Sequence, residues 1–356
     1  MIVIRTLLFL LLAALVSSLS AQESLLIRNL RLVDANKNKV SEPRYLLIKG
    51  DKIAEVGTGE GPIADSIIDA AGKFAMPGLV DGHVHYFQSG GLYTRPDAID
   101  LRAIKPYNEH IEWVRAQAND FFQRYLAAGI TYTCDVGGPM SNYMIREEAK
   151  AAIAPELFVT GPLISTYQPE ALAVDDAPIV KVNNAEEARA LVRKQLPFKP
   201  DFIKIWYIVL PGQKAQDHFE IVKATIEESH ANNIPVAVHA TQYETAKLAV
   251  EAGCDILVHS VEDQKVDQAF AKLLKKNKVS YIPTLEVGHN YMEVFSQHLN
   301  ITAEDYALAN PFTLGSLMGL QHLSERDVPA WRTRLQAGNP PCDSDQAVMQ
   351  ENLKLL

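Results

Sequence analysis

The chain has 356 residues, of which 47% are hydrophobic and 22% charged, a composition typical of a globular protein large enough for one α/β domain and a small appendage. Its formal net charge is −9 and it contains no long basic run, which argues against nucleic acid or an anionic membrane surface as a partner. The cysteines are far apart in sequence and do not form the pattern of a disulfide framework: Cys134, Cys254 and Cys342.

The N-terminus has the pattern of a secretory signal peptide. Arg5 is followed by an apolar stretch from Thr6 to Val16 and then by small residues up to Ala21. The apolar stretch is shorter than the roughly 20 residues that span a membrane, so we expect cleavage after residues 1–21. The mature protein is then secreted or periplasmic, without a membrane anchor.

Residues 22–75 are predicted to form the N-terminal part of a small β-sandwich. Two segments, SLLIRNLRLVDANKNKV and YLLIKGDKIAEVG, alternate apolar and polar residues. Asp34-Ala35-Asn36 and Lys49-Gly50-Asp51 supply turn signals within them.

From residue 76 onward, short β-branched runs alternate with helical stretches, which predicts a parallel sheet in an α/β fold. One helix is expected to begin at a capping box of Thr241 and Glu244, and another at Asn184 with Glu187. Seven such units favour a TIM (β/α)8-type barrel over 76–356. The predicted strands are 79–85, 130–136, 157–161, 202–207, 236–240, 256–260 and 279–285.

Four histidines and one lysine fall on these strands. Side chains two residues apart on a strand share a face, so the imidazoles of His83 and His85 converge, as the ligands of a metal do. Taken alone, the pair is equally compatible with a half-buried strand. His239 and His259 end two further strands and Lys204 lies on a fourth, at the barrel end where active sites of this fold assemble.

These motifs together resemble the amidohydrolase superfamily of metal-dependent hydrolases, and specifically its Xaa-Pro dipeptidase-like and imidazolonepropionase-like members. The resemblance extends from about Ser24 to Leu356. Its strongest marks are MPGLVDGHVH at 76–85, AGITYTCDVGG at 128–138, DFIKIW at 201–206, IPVAVHAT at 234–241 and AGCDILVHS at 252–260.

The resemblance implies a centre of two divalent metal ions. His83 and His85 would bind one ion, His239 and His259 the other, and Lys204, carboxylated at its amine, would bridge them. Zinc is expected, although imidazole and carboxylate ligands also suit manganese, cobalt or iron. A metal-bridging hydroxide would then be the nucleophile.

The sequence departs from the family pattern at its C-terminal end. The family's general base is an aspartate at the end of strand eight, and no eighth strand is predicted after residue 285. The predicted barrel is therefore incomplete, and we expect the chain as given to lack this base and to be inactive by itself. The aspartates of the tail lie in helical or capping contexts: Asp305, Asp327, Asp343 and Asp345.

The predicted activity is hydrolysis of a C–N bond, in a dipeptide or an N-acyl amino acid. Lys204 argues against the imidazolonepropionase-like members, which lack a bridging lysine. Tyr207, shortly after Lys204, is a weak candidate for contacting the substrate. Two alternatives remain open: a lactonase, cyclic amidase or phosphotriesterase with the same centre, and a non-catalytic metal-binding homologue. The sequence leaves the exact substrate, the metal and the oligomeric state open.

Overall fold

The computed structural model describes residues 23–322 and 342–356. The predicted signal peptide, 1–21, lies outside these residues. The chain divides into two compact units, Met1–Gly78 and Leu79–Leu356. Among the residues described, no helix combines the length and the apolar character that crossing a membrane requires.

In the first unit, the strands are organised around one long strand, β1. β1 pairs antiparallel with β2 and β3 and parallel with β5 and β6, and β3 pairs with β4. Its register with β3 shifts at a bulge between Ile27 and Leu30. These pairings form one hydrogen-bonded network, and the two-layered sandwich stays a prediction. The strands are β1 Ser24–Asp34, β2 Lys39–Val40, β3 Arg44–Lys49, β4 Lys52–Gly57, β5 Ser66–Asp69 and β6 Phe74–Ala75.

The second unit contains two parallel sheets, ordered β7-β8-β9 and β11-β10-β12-β13-β14-β15. Each of the seven predicted segments contains a strand, the third of them β9, whereas β10 and β11 were not predicted. The strands are β7 Leu79–Val84, β8 Ile130–Asp135, β9 Glu156–Val159, β10 Leu163–Ser165, β11 Ile179–Lys181, β12 Ile203–Trp206, β13 Val236–His239, β14 Ile256–Val258 and β15 Ser280–Ile282.

These strands form a TIM-barrel-like α/β arrangement, but the described residues do not close it into a cylinder. β7 and β15 are outer strands of their sheets. They nevertheless approach each other, because a Cβ atom placed on Gly82 of β7 would lie 3.2 Å from Cδ1 of Ile282 in β15. After Ile282, the structure contains helices and no strand within the described residues.

Helices follow most of the strands. Asn184 caps its helix as predicted, accepting a hydrogen bond from the Glu187 N–H. The predicted Thr241 capping box is wrong: that helix begins at Tyr243, whose N–H donates to Asp263 at 2.8 Å. The helices are α1 Tyr107–Ala116, α2 Ala118–Ala127, α3 Met144–Lys150, α4 Ala185–Gln195, α5 Phe219–Ala231, α6 Tyr243–Glu251, α7 Gln268–Asn277, α8 Val287–Ser296, α9 Ala303–Leu308, α10 Pro311–Leu317 and α11 Cys342–Leu355.

The main core lies between the larger sheet and its helices, and it decides which way the strand side chains face. Ile203 and Ile205 of β12 are fully buried in this core. Successive side chains on a strand point to opposite faces, so Lys204, between them, faces away from the helices. Val236 and Val238 pack in the same core, which places His239 on the face that carries Lys204.

Candidate metal centre

The five predicted ligands all lie at or near the carboxyl ends of parallel strands. His83 lies in β7 and His85 directly follows it, Lys204 lies in β12, His239 ends β13 and His259 follows β14. Because parallel strands direct these ends to one side of the fold, side chains that are distant in sequence meet there.

The four imidazole rings form one continuous cluster. The ring centroids of His239 and His259 are 4.2 Å apart, those of His83 and His259 4.6 Å, and those of His83 and His85 5.3 Å. All four line a cavity of about 660 Å³ that Lys204 also lines. The structure therefore brings together all five residues that the sequence predicted as ligands.

His259 is held in the cluster by an uncommon backbone conformation. Its φ is +76°, in the left-handed region that non-glycine residues adopt at a cost of about 1 kcal/mol or more. Contacts with the following strand compensate: the His259 N–H donates to the carbonyl oxygen of Ile282 at 3.0 Å, and Nδ1 lies 2.8 Å from the hydroxyl of Thr284. The turn after β14 is thus fixed by the end of β15.

Two buried nitrogens of this cluster lack hydrogen-bond partners among the described residues. Lys204 is 1% exposed, and its Nζ has no hydrogen-bond partner among the described residues; the same is true of Nδ1 of His83. Each such atom costs about 1–3 kcal/mol unless something binds it. Unpaired buried polar atoms of this kind are what a site for an added group presents.

The protonation states suit metal binding. Burial lowers the pKa of Lys204 to about 7, which makes the neutral, carboxylatable amine accessible near neutral pH. Burial, together with the Lys204 charge, lowers the pKa of His85 to about 4 and holds the pKa of His239 well below the ordinary value. Neutral imidazoles keep a lone pair for a metal.

One geometric observation bears on the number of ligands. Within 23–322 and 342–356, no three His, Cys, Asp or Glu side chains are arranged to hold a metal ion by themselves. Lysine is not one of these residue types, and Lys204 would supply anionic oxygens only after carboxylation. The donor set, with its unpaired buried nitrogens, fits divalent metal ions.

The backbone and one carboxylate fix the orientation of His85. Its Nδ1 donates to the carbonyl oxygen of Gly137 at 2.6 Å, which leaves Nε2 as the lone-pair nitrogen. Asp135, fully buried, accepts hydrogen bonds from the N–H groups of Gly137 and Tyr86 and from Nδ2 of Asn142. Asp135 thus influences the orientation of His85 through the backbone of Gly137, whose N–H group it binds and whose carbonyl oxygen His85 binds.

Tyr207 is not at the cavity. It is 2% exposed and packs in the main core, and its hydroxyl donates to the carbonyl oxygen of Ala215 at 2.5 Å. Tyr207 directly follows β12 on the strand face of Ile205, away from Lys204. The predicted contact with substrate is therefore corrected.

The aspartates of the tail are not brought to the cluster where the structure describes their side chains. Asp305 caps α9, accepting from the N–H and hydroxyl of Thr302, and it is exposed. Asp327 and the side chains of Asp343 and Asp345 lie outside the described part of the chain.

Sequence reasoning missed a polar group that lines the same cavity. Arg95, in the segment after β7, forms a two-pronged ion pair with Asp97, Nε to Oδ1 at 2.8 Å and Nη2 to Oδ2 at 2.6 Å. Its Nη1 donates to the hydroxyl of Tyr291 on α8, 196 positions further along the chain. The sequence Arg95-Pro96-Asp97 indicates that the arginine and the aspartate can pair, whereas no local pattern indicates the hydrogen bond to Tyr291.

The fold and the five-residue cluster define a parallel α/β protein with four imidazoles and one buried lysine gathered at the strand ends. The profile of the amidohydrolase family matches residues 74–272, more than half of the chain, and the chain belongs to this family.

Relatives of the chain include a curated dihydroorotase from Bacillus licheniformis, which is 43% identical over 68 residues. This match covers 19% of the chain and only 15% of the dihydroorotase. Two solved structures match with a TM-score of 0.63. One is a prolidase complexed with N-methylphosphonate-L-proline, which is 18% identical; the match covers 93% of this chain and 88% of the prolidase. The other is a Xaa-Pro dipeptidase with methionine bound in its active site, which is 21% identical; the match covers 94% of this chain and 88% of the dipeptidase. At these identities the likeness supports the shared fold.

Proposed function

We propose that this protein is a metal-dependent hydrolase of C–N bonds that acts on a dipeptide or an N-acyl amino acid. The observation that carries the proposal is the fully buried Lys204, without a partner among the described residues, beside four clustered imidazoles in one cavity. A cation has no reason to occupy this position for stability, since burying it unpaired is costly. A carboxylated lysine that binds metal explains its place, and the pKa that burial lowers leaves the amine neutral for carboxylation.

In this proposal, five residues bind the metal ions and one backbone carbonyl group orients a ligand. Members of this family generally use divalent metal ions. We infer that His83 and His85 hold one ion, His239 and His259 a second, and carboxylated Lys204 both. When bound, such ions supply Lewis acidity and lower the pKa of water. The Gly137 carbonyl keeps His85 in the tautomer that can ligate.

The cavity also suits a small organic substrate. Its walls combine the polar cluster with apolar and aromatic side chains, among them Phe87, Trp206 and Leu163. The Trp206 ring lies 5.9 Å from His239, so an apolar part of a substrate would contact Trp206 while its reacting carbonyl faces the histidines. The two similar solved structures, a prolidase and a Xaa-Pro dipeptidase, support the choice of a dipeptide-like substrate. A secreted or periplasmic location stays part of this proposal.

The test compares Lys204→Met with Lys181→Met, a lysine that ends β11 and is exposed. Both are purified from medium with bicarbonate, and metal content is measured together with turnover of Xaa-Pro dipeptides, N-acyl amino acids and matched esters, lactones and phosphotriesters. We expect Lys204→Met to lose bound metal and Lys181→Met to retain it, whether or not the chain as given turns over substrate. On any substrate that the wild-type protein hydrolyses, Lys204→Met should lose at least about 1,000-fold in turnover and Lys181→Met should lose none.

Two outcomes would contradict the proposal. Undiminished metal binding in Lys204→Met would remove the lysine from the centre. Turnover of esters, lactones or phosphotriesters without turnover of any amide would assign a different substrate class to the same residues.

A further inference from the structure

Arg95 and Tyr291 line the cavity of the histidine cluster but take no part in the cluster itself. Both also line a neighbouring cavity of about 440 Å³, whose walls are mostly apolar and include Leu92, Ile99 and Phe295. The pair therefore lies at the junction of the two cavities, where a bound substrate would contact it.

Arg95 and Tyr291 have more N–H and O–H donors than their hydrogen bonds use. A guanidinium group has five N–H groups. Two of those on Arg95 donate to Asp97 and one to Tyr291, so two have no acceptor among the described residues. Tyr291 accepts from Arg95, and its own O–H hydrogen likewise has no acceptor there. Three hydrogens are thus available on two adjacent groups.

The pair is also held in place, as a binding group must be. The side chain of Asp97 is 8% exposed and accepts hydrogen bonds along two edges of the guanidinium. Burial lowers the pKa of Arg95, but the contacts with Asp97 and Tyr291 outweigh it and raise the pKa above its usual value, so Arg95 stays charged. The Tyr291 ring is stacked on Phe295, with centroids 5.4 Å apart. The donors are therefore pre-organised, and little conformational entropy is lost when an acceptor arrives.

We propose that Arg95 and Tyr291 form the subsite that binds a carboxylate of the substrate, in the cavity that also holds the histidine cluster. Hydrogen-bond donors that have no acceptor favour a ligand that only accepts hydrogen bonds. A carboxylate is such a ligand, and its two oxygens match the geometry of a guanidinium group. This inference rests on the proposed function and assigns to Arg95 and Tyr291 the carboxylate that dipeptides and N-acyl amino acids share.

The experiment measures acetate release from N-acetyl-leucine and from its neutral counterpart, N-acetyl-leucinamide. In the wild-type protein we expect kcat/KM to be higher for the acid. In Arg95→Met, the ratio of the two values should fall about 10- to 100-fold, the effect of losing hydrogen bonds between charged groups. Tyr291→Phe keeps the ring and should lower the ratio about 3- to 10-fold.

The control is Arg102→Met. Arg102 forms the same two-pronged pair with the aspartate two positions away, Asp100, at 2.8 and 2.6 Å, but it is exposed and does not line either cavity. The ratio should be unchanged in this variant. An equal loss on both substrates in Arg95→Met and in Tyr291→Phe would assign the pair a structural role and overturn the inference.

A binding measurement separates this inference from the proposed function. Phenylacetate and phenylethanol differ in their carboxylate and contain no bond for the enzyme to hydrolyse. By titration calorimetry, we expect phenylacetate to bind the wild-type protein about 10-fold more tightly, and Arg95→Met to lose this preference. This result would support the subsite even if no amide were hydrolysed. Equal affinity of the wild-type protein for both ligands would overturn it.

Discussion

Nδ1 of His85 lies 2.6 Å from the carbonyl oxygen of Gly137, and the N–H of the same glycine lies 3.2 Å from the carboxylate of Asp135. A carbonyl oxygen can only accept, so His85 carries its proton on Nδ1. Asp135 fixes the segment that provides this acceptor. The carboxylate of Asp135 therefore determines the orientation of the His85 imidazole through Gly137, without a hydrogen bond to that ring.

Asp135→Asn should weaken metal binding without unfolding the protein. The carboxylate accepts from three donors, Gly137, Tyr86 and Asn142, and an amide presents an NH₂ group to at least one of them. The Gly137 carbonyl then shifts, and His85 with it. We expect metal affinity to fall about 10- to 100-fold, measured by competition with a chelator.

Asp201→Asn provides the matched control for that change. Asp201 also accepts a backbone N–H, from Val159 at 2.8 Å, but it precedes β12, at the end of the sheet away from the cluster. We expect lower stability and unchanged metal affinity. A loss of affinity of the same size in both variants would show that Asp135 has no specific effect on His85.

Because of Lys204, the metal-free protein should become less stable as the pH falls from alkaline values to neutral. Its pKa is about 7 in the folded state and 10.5 in the unfolded state, so between these values the unfolded chain binds a proton that the folded chain lacks. The free energy of unfolding therefore rises with pH across this window, by up to about 5 kcal/mol. Lys204→Met should lack this rise.

Urea unfolding of both metal-free proteins at about pH 7 and about pH 9.5 checks the Lys204 prediction. At the lower pH, the variant should be the more stable of the two, because it no longer buries an amine without a partner. Equal slopes with pH in the two proteins would contradict a buried, titrating Lys204.

Strand geometry placed the five residues of the cluster locally, and the resemblance to the amidohydrolase superfamily supplied their interpretation as ligands. His83 and His85 share a face by their spacing, and His239 and Lys204 each occupy a position in a short β-branched run. The order of these runs then implies a common end of a parallel sheet. Local pattern and fold rule point to the same residues.

Other features depend on contacts that no local pattern encodes. The helix expected to begin at Thr241 begins at Tyr243 because Asp263, twenty positions later, accepts the Tyr243 N–H. Tyr291 meets Arg95 only through the placement of α8, and Gly137 contributes a carbonyl group that every residue has. Backbone acceptors and long-range partners are therefore invisible in one sequence.

Gly82→Ala should strain the approach of β7 to β15. The added Cβ would lie 3.2 Å from Cδ1 of Ile282 and 3.5 Å from its Cγ2, so one strand must move by a few tenths of an ångström. Overpacking of this kind costs about 1–3 kcal/mol, and here it displaces the residue before His83. Ile282→Val removes the Cδ1 atom and should restore part of the loss in the double variant.

Gly315→Ala is the control for the Gly82 prediction, because a Cβ at Gly315 meets nothing within 4 Å and the residue lies in helix α10. That variant should be about 0.5–1 kcal/mol more stable. Urea unfolding of the single and double variants gives the coupling energy. Additive effects of Gly82→Ala and Ile282→Val would contradict the contact.

His110 should make the protein sensitive to acid at a site apart from the histidine cluster. It is 3% exposed and stacked on Trp113, and burial, aided by the charge of Lys105, lowers its pKa to about 4 from 6.5. As pH falls from 6.5 toward 4, the unfolded chain takes up a proton that the folded chain does not, so stability falls, by about 3 kcal/mol in total. His110→Phe keeps a ring against Trp113 and should lose less stability over the same interval, whereas substitution of the exposed His322 should leave the interval unchanged. Urea unfolding at several pH values measures this difference, and parallel curves for wild type and His110→Phe would show that folding does not lower the pKa of His110.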